Sequence, residues 1–289
     1  MQVIEHPFAI LHPALLSSQE NLIKSYQQFS STEKRFLEEG LQPCSSLFSP
    51  ITIHSDSDWI PEHPENPQDF QSFYNSPHRR SPSSENNTIY IQTIGTFGVD
   101  TEHYVEWLKD FCKAFYHGLV VKMLSPVTVA TTDCSFRVNS NTHNLQLHAG
   151  ELLTFLKRRK PVDAFCIVGI TMIDLYPKDS WNFVFGQASL TEGVGVFSFA
   201  RHDDDFYKRN YAGCLKKKLK LTQGDYSVFD DYFTPPVTST LLLRSCKALL
   251  HWIEGEAESP GQDSKATHAF QEYKSWLYKC LQMLEVKKQ

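Results

Sequence analysis

No uninterrupted apolar run in this sequence approaches the roughly 18 residues that a helical membrane span requires, so a membrane partner is not expected. Neither sign of charge dominates. Twenty-eight Lys and Arg against 33 Asp and Glu leave a net charge of -5, which gives no reason to expect nucleic acid as a partner. Close cysteine pairs are also missing. The seven cysteines stand at 44, 112, 134, 166, 214, 246 and 280, and the nearest two are 22 positions apart. That spacing excludes a Cys-x-x-Cys clip and a compact disulfide framework, leaving free thiols in a reducing compartment as the simplest reading. Met1 to Pro7 show no basic segment leading into an apolar stretch, so no secretion signal is expected. The cytoplasm is then the expected location, with the nucleus as an alternative, and the Asn86-Asn87-Thr88 sequon should be silent. No Gly-x-Ser-x-Gly elbow supports serine-nucleophile chemistry. Gly193-Val194-Gly195 precedes a strand-like run, not a helix, so it does not read as a phosphate loop.

What is present points to a packed core. Apolar residues make up 41% of the chain and 20 of its residues are Phe, more than extended disorder would carry. Ser17 with Glu20, and Ser30 with Glu33, have capping-box spacing and predict two short helices. Pro43 to Asn87 is rich in Pro, Ser, Asn and Asp and reads as an irregular docked segment, with an exposed loop from Ser76 to Asn87. Thr88 to Ile94 predicts a strand, Thr101 to His117 a helix, and Val120 to Val129 a strand broken at Ser125-Pro126. His148 to Lys160 predicts a helix with a basic end suited to its dipole, and Ala164 to Ile173 a strand buried on both faces. Phe183 to Gly186 and Val194 to Phe199 add two strands joined through Gln187 to Gly193. That order predicts a three-layer α/β domain with a mixed, twisted sheet. Residues 201 to 236 read as polar loop, with a basic run at Lys216, Lys217, Lys218 and Lys220 that fits a nuclear-localisation patch or a solvated loop. A helix from about Thr238 and a last amphipathic helix follow. The expected organisation is 1–87 N-terminal helices and docked segment, 88–253 α/β domain, 254–265 acidic linker and 266–289 C-terminal helix.

Long stretches carry a family resemblance. They include Ser135-Phe136-Arg137-Val138-Asn139, Thr142-His143-Asn144-Leu145-Gln146, Val168 through Pro177, and Trp181 through Ala188. In these the chain resembles the archaemetzincins, intracellular zinc metallopeptidases. The likeness runs to Lys247 and resumes at Ala248-Leu249-Leu250-His251-Trp252-Ile253. The resemblance implies a metzincin-like domain, a peptide or protein substrate, and zinc as cofactor. It also implies a helix bearing His-Glu-x-x-His-x-x-Gly-x-x-His, in which histidines one turn apart hold the metal. A cysteine set for a second, structural zinc is implied as well. The run Leu241 to Lys247 matches the lead-in to that helix, but no His-Glu-x-x-His follows it.

An internal omission at Lys247/Ala248 is the simplest account, leaving the active-site helix replaced or truncated. No catalytic residue, no metal ligand and no cofactor is then expected in this chain. Leu242, Cys246, Leu249, Leu250 and Ile253 keep helical spacing across the join, so one helix is expected to run through it. Structural zinc sites contribute an apparent ~10–16 kcal/mol, against domain stabilities of about 5–15 kcal/mol, so such an omission should leave a marginal domain. Other residues do not rebuild a site by spacing. His143 and His148 fall on different helix faces, and His251 with Glu254 meets Gly255 where a second ligand is needed. His202 with Asp203, Asp204 and Asp205 could hold a cation weakly but reads more simply as a solvated loop. By resemblance, Phe183, Val184, Phe185, Gly186 and Gln187 correspond to the edge strand with which a substrate peptide pairs, although their aromatics fit a core role equally well. Three functions stay open: a non-catalytic binding variant, a working zinc peptidase, and a product with no independent function.

Overall fold

The computed structural model describes residues 2–4, 7–42, 51–53, 59–64, 69–97, 99–202, 206, 222–230, 239–257 and 264–286. The chain forms two compact units, residues 1–79 with 250–276 and residues 80–249 with 277–289. In the first unit, β1 (Gln2–Ile4) is followed by α1 (Phe8–Leu15), α2 (Glu20–Gln27) and α3 (Ser31–Leu41). Then come β2 (Ile51–Ile53), antiparallel to β1, and the short helices α4 (Trp59–Glu62) and α5 (Phe70–Asn75). The expected box opens α3. Ser30 Oγ accepts the Glu33 N–H at 3.2 Å while the Glu33 carboxylate accepts the Ser30 N–H at 2.7 Å. The second expected box does not form. Ser17 donates to Gln71 Oε1 at 2.6 Å, and the N-cap residue of α2 is Gln19, which makes no side-chain cap bond. The Ser17 oxygen accepts the Gln19 N–H two residues on, at 3.0 Å, and not the N–H three residues on that a capping box uses.

The second unit holds the α/β domain. Its elements are β3 (Thr88–Ile94), α6 (Val99–Phe115), β4 (Val120–Met123), the single turn α7 (Val129–Thr132), β5 (Phe136–Val138), β6 (Leu145–His148) and α8 (Ala149–Arg159). They continue with β7 (Ala164–Thr171), β8 (Asp174–Tyr176), β9 (Gly186–Ser189) and β10 (Val194–Ser198). Two helices follow, α9 (Ser239–Ala257) and α10 (Ser264–Val286). The main sheet has the order β4-β3-β7-β10-β9. The first four strands are parallel to one another and β9 is an antiparallel edge. This is the mixed sheet that the pattern predicts.

Alternation along β7 sorts the layers. Cys166, Val168 and Ile170 join Leu108 and Cys112 of α6 in one cluster. Gly169 points the other way, where a Cβ would stand 2.7 Å from Leu156 of α8. Helices therefore cover opposite faces of the sheet, and all seven residues of β3 between them are buried. The buried amide of Gln92 is satisfied there, donating to the Ser125 carbonyl at 2.8 Å and accepting from Arg159 Nε at 3.2 Å.

Three features depart from expectation. A second sheet, β5-β6-β8, arises from segments of three or four residues, too short to show alternation in sequence. The strand expected over Phe183 to Gly186 instead covers Gly186–Ser189, so Gln187 to Ser189 belong to the strand and not to the connection. The acidic stretch expected as linker from Glu254 begins inside α9, which extends to Ala257. Leu156 is fully buried against β7. Leu156→Ala should therefore lower stability by about 2–5 kcal/mol, read as a reduced urea midpoint with an unchanged slope.

Candidate functional site

The five residues singled out for peptide pairing lie at the free edge of the main sheet and in the segment that leads into it. Phe183 sits beneath the Arg201 guanidinium, 3.4 Å from its ring centre. The Val184 N–H donates to the Leu175 carbonyl of β8 at 2.9 Å. The Phe185 carbonyl accepts from the Ser198 N–H of β10 at 2.8 Å, and Gly186 and Gln187 begin β9. In an antiparallel ladder the bonded residues alternate. Phe185, Gln187 and Ser189 thus turn their main-chain groups to β10, and Gly186 and Ala188 turn theirs outward. Among the described residues no strand pairs with that outer side of β9.

A buried polar network fixes this edge. Arg201 Nε and Nη2 reach the two Asp174 oxygens at 2.9 and 2.8 Å, a bidentate pair with side chains 2% and 0% exposed. Gln146 Nε2 donates to Asp174 at 2.8 Å and to the Asn182 carbonyl at 2.9 Å. Arg137 donates to Gln146 at 2.9 Å and to the carbonyls of Asp179, Trp181 and Asn182, with its guanidinium over the Tyr176 ring. Asn139 adds two bonds to Asn182. Burial pushes the Tyr176 phenol up to about 12, so that ring stays neutral beside the arginine. The sequence reading missed Asp174 and Arg201. The available signal was a lone carboxylate directly after the apolar run of β7, because a charge in such a place needs a partner.

Beside β9 the sheet face is apolar and partly open. Phe185 and Phe197 are 47% and 43% exposed. The Phe197 ring lies over two glycines. A Cβ on Gly186 would come within 2.2 Å of it, and one on Gly195 within 3.0 Å. Phe165, Val168, Phe197, Phe199 and His202 help to line a cavity of about 460 Å³ here. A neighbouring cavity of about 240 Å³ reaches Leu242 and Ser245 of α9.

Helix α9 continues without a break through Lys247 and Ala248. It buries Leu242, Cys246, Leu249, Leu250 and Ile253, as their spacing predicts. Three other histidines make local contacts. His143 occupies a left-handed turn position at φ 57°, and His148 caps α8, its Nδ1 accepting the Glu151 N–H at 3.2 Å. His251 is exposed on α9, and its ring packs edge-on to Phe36. Asp203 to Asp205 and the Lys216 to Lys220 run lie outside the described residues. Among the described residues, no group of three or more His, Cys, Asp or Glu is placed to hold a metal ion, and no helix is long and apolar enough to cross a membrane.

No family model matches the chain. It is 57% identical to human archaemetzincin-2 over 256 residues, a match covering 88% of this chain and 71% of that protein. It is 40% identical to mouse archaemetzincin-1 over 198 residues, covering 68% of this chain and 39% of that protein. Among solved structures, the crystal structure of archaemetzincin from Methanopyrus kandleri aligns with a TM-score of 0.34 at 17% identity, over 66% of this chain and 97% of that one.

Removing one partner of the Asp174–Arg201 pair leaves the other charge buried. Asp174→Ala should cost about 3–5 kcal/mol, whereas joint replacement of Asp174 and Arg201 by Leu and Met should cost less than that single change. Chemical denaturation of both variants checks the order.

Proposed function

The chain belongs to the archaemetzincin family of zinc metallopeptidases, and from that premise we propose that it is a catalytically silent member that docks extended peptides on β9. The observation that carries this reading is the content of α9. The family chemistry needs two histidines one turn apart, a glutamate between them and a third histidine past a glycine. After Lys247 the helix instead reads Ala248, Leu249, Leu250 and His251, and three of these four positions offer no donor atom. His251 is left with Glu254 as its nearest acidic neighbour in sequence. Such a donor set does not fit a zinc ion, so no hydrolytic step is derived through one. An internal segment missing between Lys247 and Ala248 accounts for this content.

Peptide docking rests on the edge. A segment added beside β9 would meet the outward N–H and C=O groups of Gly186 and Ala188. Four such bonds at roughly 1 kcal/mol each amount to only about millimolar affinity, so the exposed Phe185 and Phe197 must supply the remainder through apolar side chains of the peptide. The Asp174–Arg201 network keeps the edge in register before any peptide arrives, which lowers the ordering cost of binding.

Two measurements on the full chain test the reading. Elemental analysis of purified protein should find well under one zinc per chain, and chelator should change no peptidase activity. One tightly held zinc with chelator-sensitive hydrolysis overturns the silent assignment. For docking, Ala188→Pro removes one outward donor and leaves the β10 ladder intact. It should weaken binding of a fluorescent extended apolar peptide about fivefold, with the unfolding midpoint shifted by no more than about 2 °C. Unchanged peptide affinity in this variant places docking elsewhere.

A further inference from the structure

The face of the main sheet that carries Cys166, Val168 and Ile170 is only partly covered. Cys166 and Val168 are half-buried although β7 is the middle strand, a position normally shielded on both faces. Beside them the Phe197 and Phe185 rings are exposed. The space above is the cavity of about 460 Å³, walled by Leu108 and Cys112 of α6 and floored by Cys166, Val168 and Phe197. Small-molecule sites typically have volumes of about 300–1,000 Å³ and mostly apolar walls.

One end of this cavity is cationic. Phe165, near the start of β7, helps to line it, and the Arg80 guanidinium stands 5.7 Å from the centre of the Phe165 ring. Lys160, which follows α8, reaches the same place. A Cβ on Gly193 would lie 2.7 Å from Arg80 Nη1 and 3.0 Å from Lys160 Nζ, so the two cations flank one point. Neither pairs with a carboxylate among the described residues. Lys160 donates to the Glu192 carbonyl at 2.7 Å, while the Glu192 carboxylate is engaged by Lys157 at 2.9 Å. Burial, and after it the neighbouring Arg80 charge, holds the Lys160 amine below its ordinary value. An anion seated between the two cations would relieve that repulsion.

We propose that this cavity binds a single-chain amphiphilic carboxylate, its head between Arg80 and Lys160 and its chain over β7 toward Ile170 and Phe199. The length suits such a ligand. From Cys166 to Ile170 the strand advances roughly 13 Å at ~3.3 Å per residue, the reach of an extended chain of about ten carbons. The occupant is a hydrocarbon chain and not a peptide backbone, because β7 and β10 beneath it are already paired with each other. A peptide lying there would bury amide groups with no partner, whereas methylenes need none. The site goes beyond the docking edge of β9, from which it differs in using no outward main-chain group, although the two share the Phe185 and Phe197 rings.

The test titrates the full chain with dodecanoate below its micelle range, followed by calorimetry. Binding should saturate at one ligand per chain, and decanoate should bind about tenfold more weakly for the loss of two buried methylenes. Arg80→Gln combined with Lys160→Gln should weaken dodecanoate about tenfold and leave dodecanol unchanged. Val168→Phe, which fills the floor, should weaken dodecanoate and dodecanol alike. Ala188→Pro should change neither, so this site and the peptide edge fail separately. Absence of saturable dodecanoate binding overturns the proposal, as does an equal affinity for decanoate. Unchanged dodecanoate affinity in the double variant overturns the placement of the head. Should Val168→Phe fail to fold, alkylation of Cys166 in the unaltered chain decides the placement of the chain. Dodecanoate should slow that labelling in proportion to occupancy, and an unchanged rate at saturation overturns it.

Discussion

One buried ion pair, Asp174 with Arg201, fixes much of the second unit. Both side chains are withdrawn from water, a placement that costs several kcal/mol per charge unless every valence is met. Here the valences are met. The carboxylate accepts three bonds, from two arginine nitrogens and from Gln146, while the guanidinium stacks on Phe183 and Phe206. Asp174 opens β8 of the small sheet, and Arg201 stands just past β10 of the large one. The pair therefore ties two sheets that share no ladder. Through Gln146 and Arg137 the same charges hold the carbonyls from Asp179 to Asn182, the segment that delivers the chain to β9. A hydrophobic contact would not fix that segment as closely, because apolar packing has no direction.

Legibility in the sequence followed the range of the forces involved. The long apolar run of β7, the periodic face of α9 and the Ser30–Glu33 box are each specified within a few residues, and all three are found in the structure. The small sheet was not legible. Its strands have three or four residues and are defined by partners up to 28 positions away, such as His148 with Tyr176, and 11 away for Phe136 with Leu147 in the neighbouring ladder. The Ser17 box failed on a local detail of the turn, since its hydroxyl oxygen accepts the Gln19 N–H two residues on and only its hydrogen goes to the distant Gln71. At the candidate edge, the aromatics and glycines from Phe183 to Gln187 stood out as a strand, but its register did not. A one-residue slip is invisible in composition, yet it decides which main-chain groups face outward.

The free edge also carries a protection of its own. An exposed strand invites unwanted pairing, and short length is one of the ways in which natural sheets limit that risk. β9 has only four residues. The Phe197 ring lies across Gly186 and Gly195, so a Cβ at Gly186 would meet both the ring and the Val196 carbonyl, and one at Gly195 would require the ring to give way. Docking and self-association are thus governed by the same few residues, and a broader apolar edge would favour the second.

The way the chain is divided has a consequence for its synthesis. Residues 80–249 follow one another without interruption, so most of the second unit can organise as soon as it has emerged from the ribosome. The first unit cannot. Residues 1–79 group with residues 250–276, which are made last. At about 5–20 residues per second, the early helices wait roughly 10–30 s for the helical segments that complete their unit. During that interval α1 to α3 present apolar side chains such as Phe8, Ile10 and Ile23 that remain well exposed even in the finished chain. The part of the protein born first is therefore finished last, and a chaperone would have its longest opportunity there.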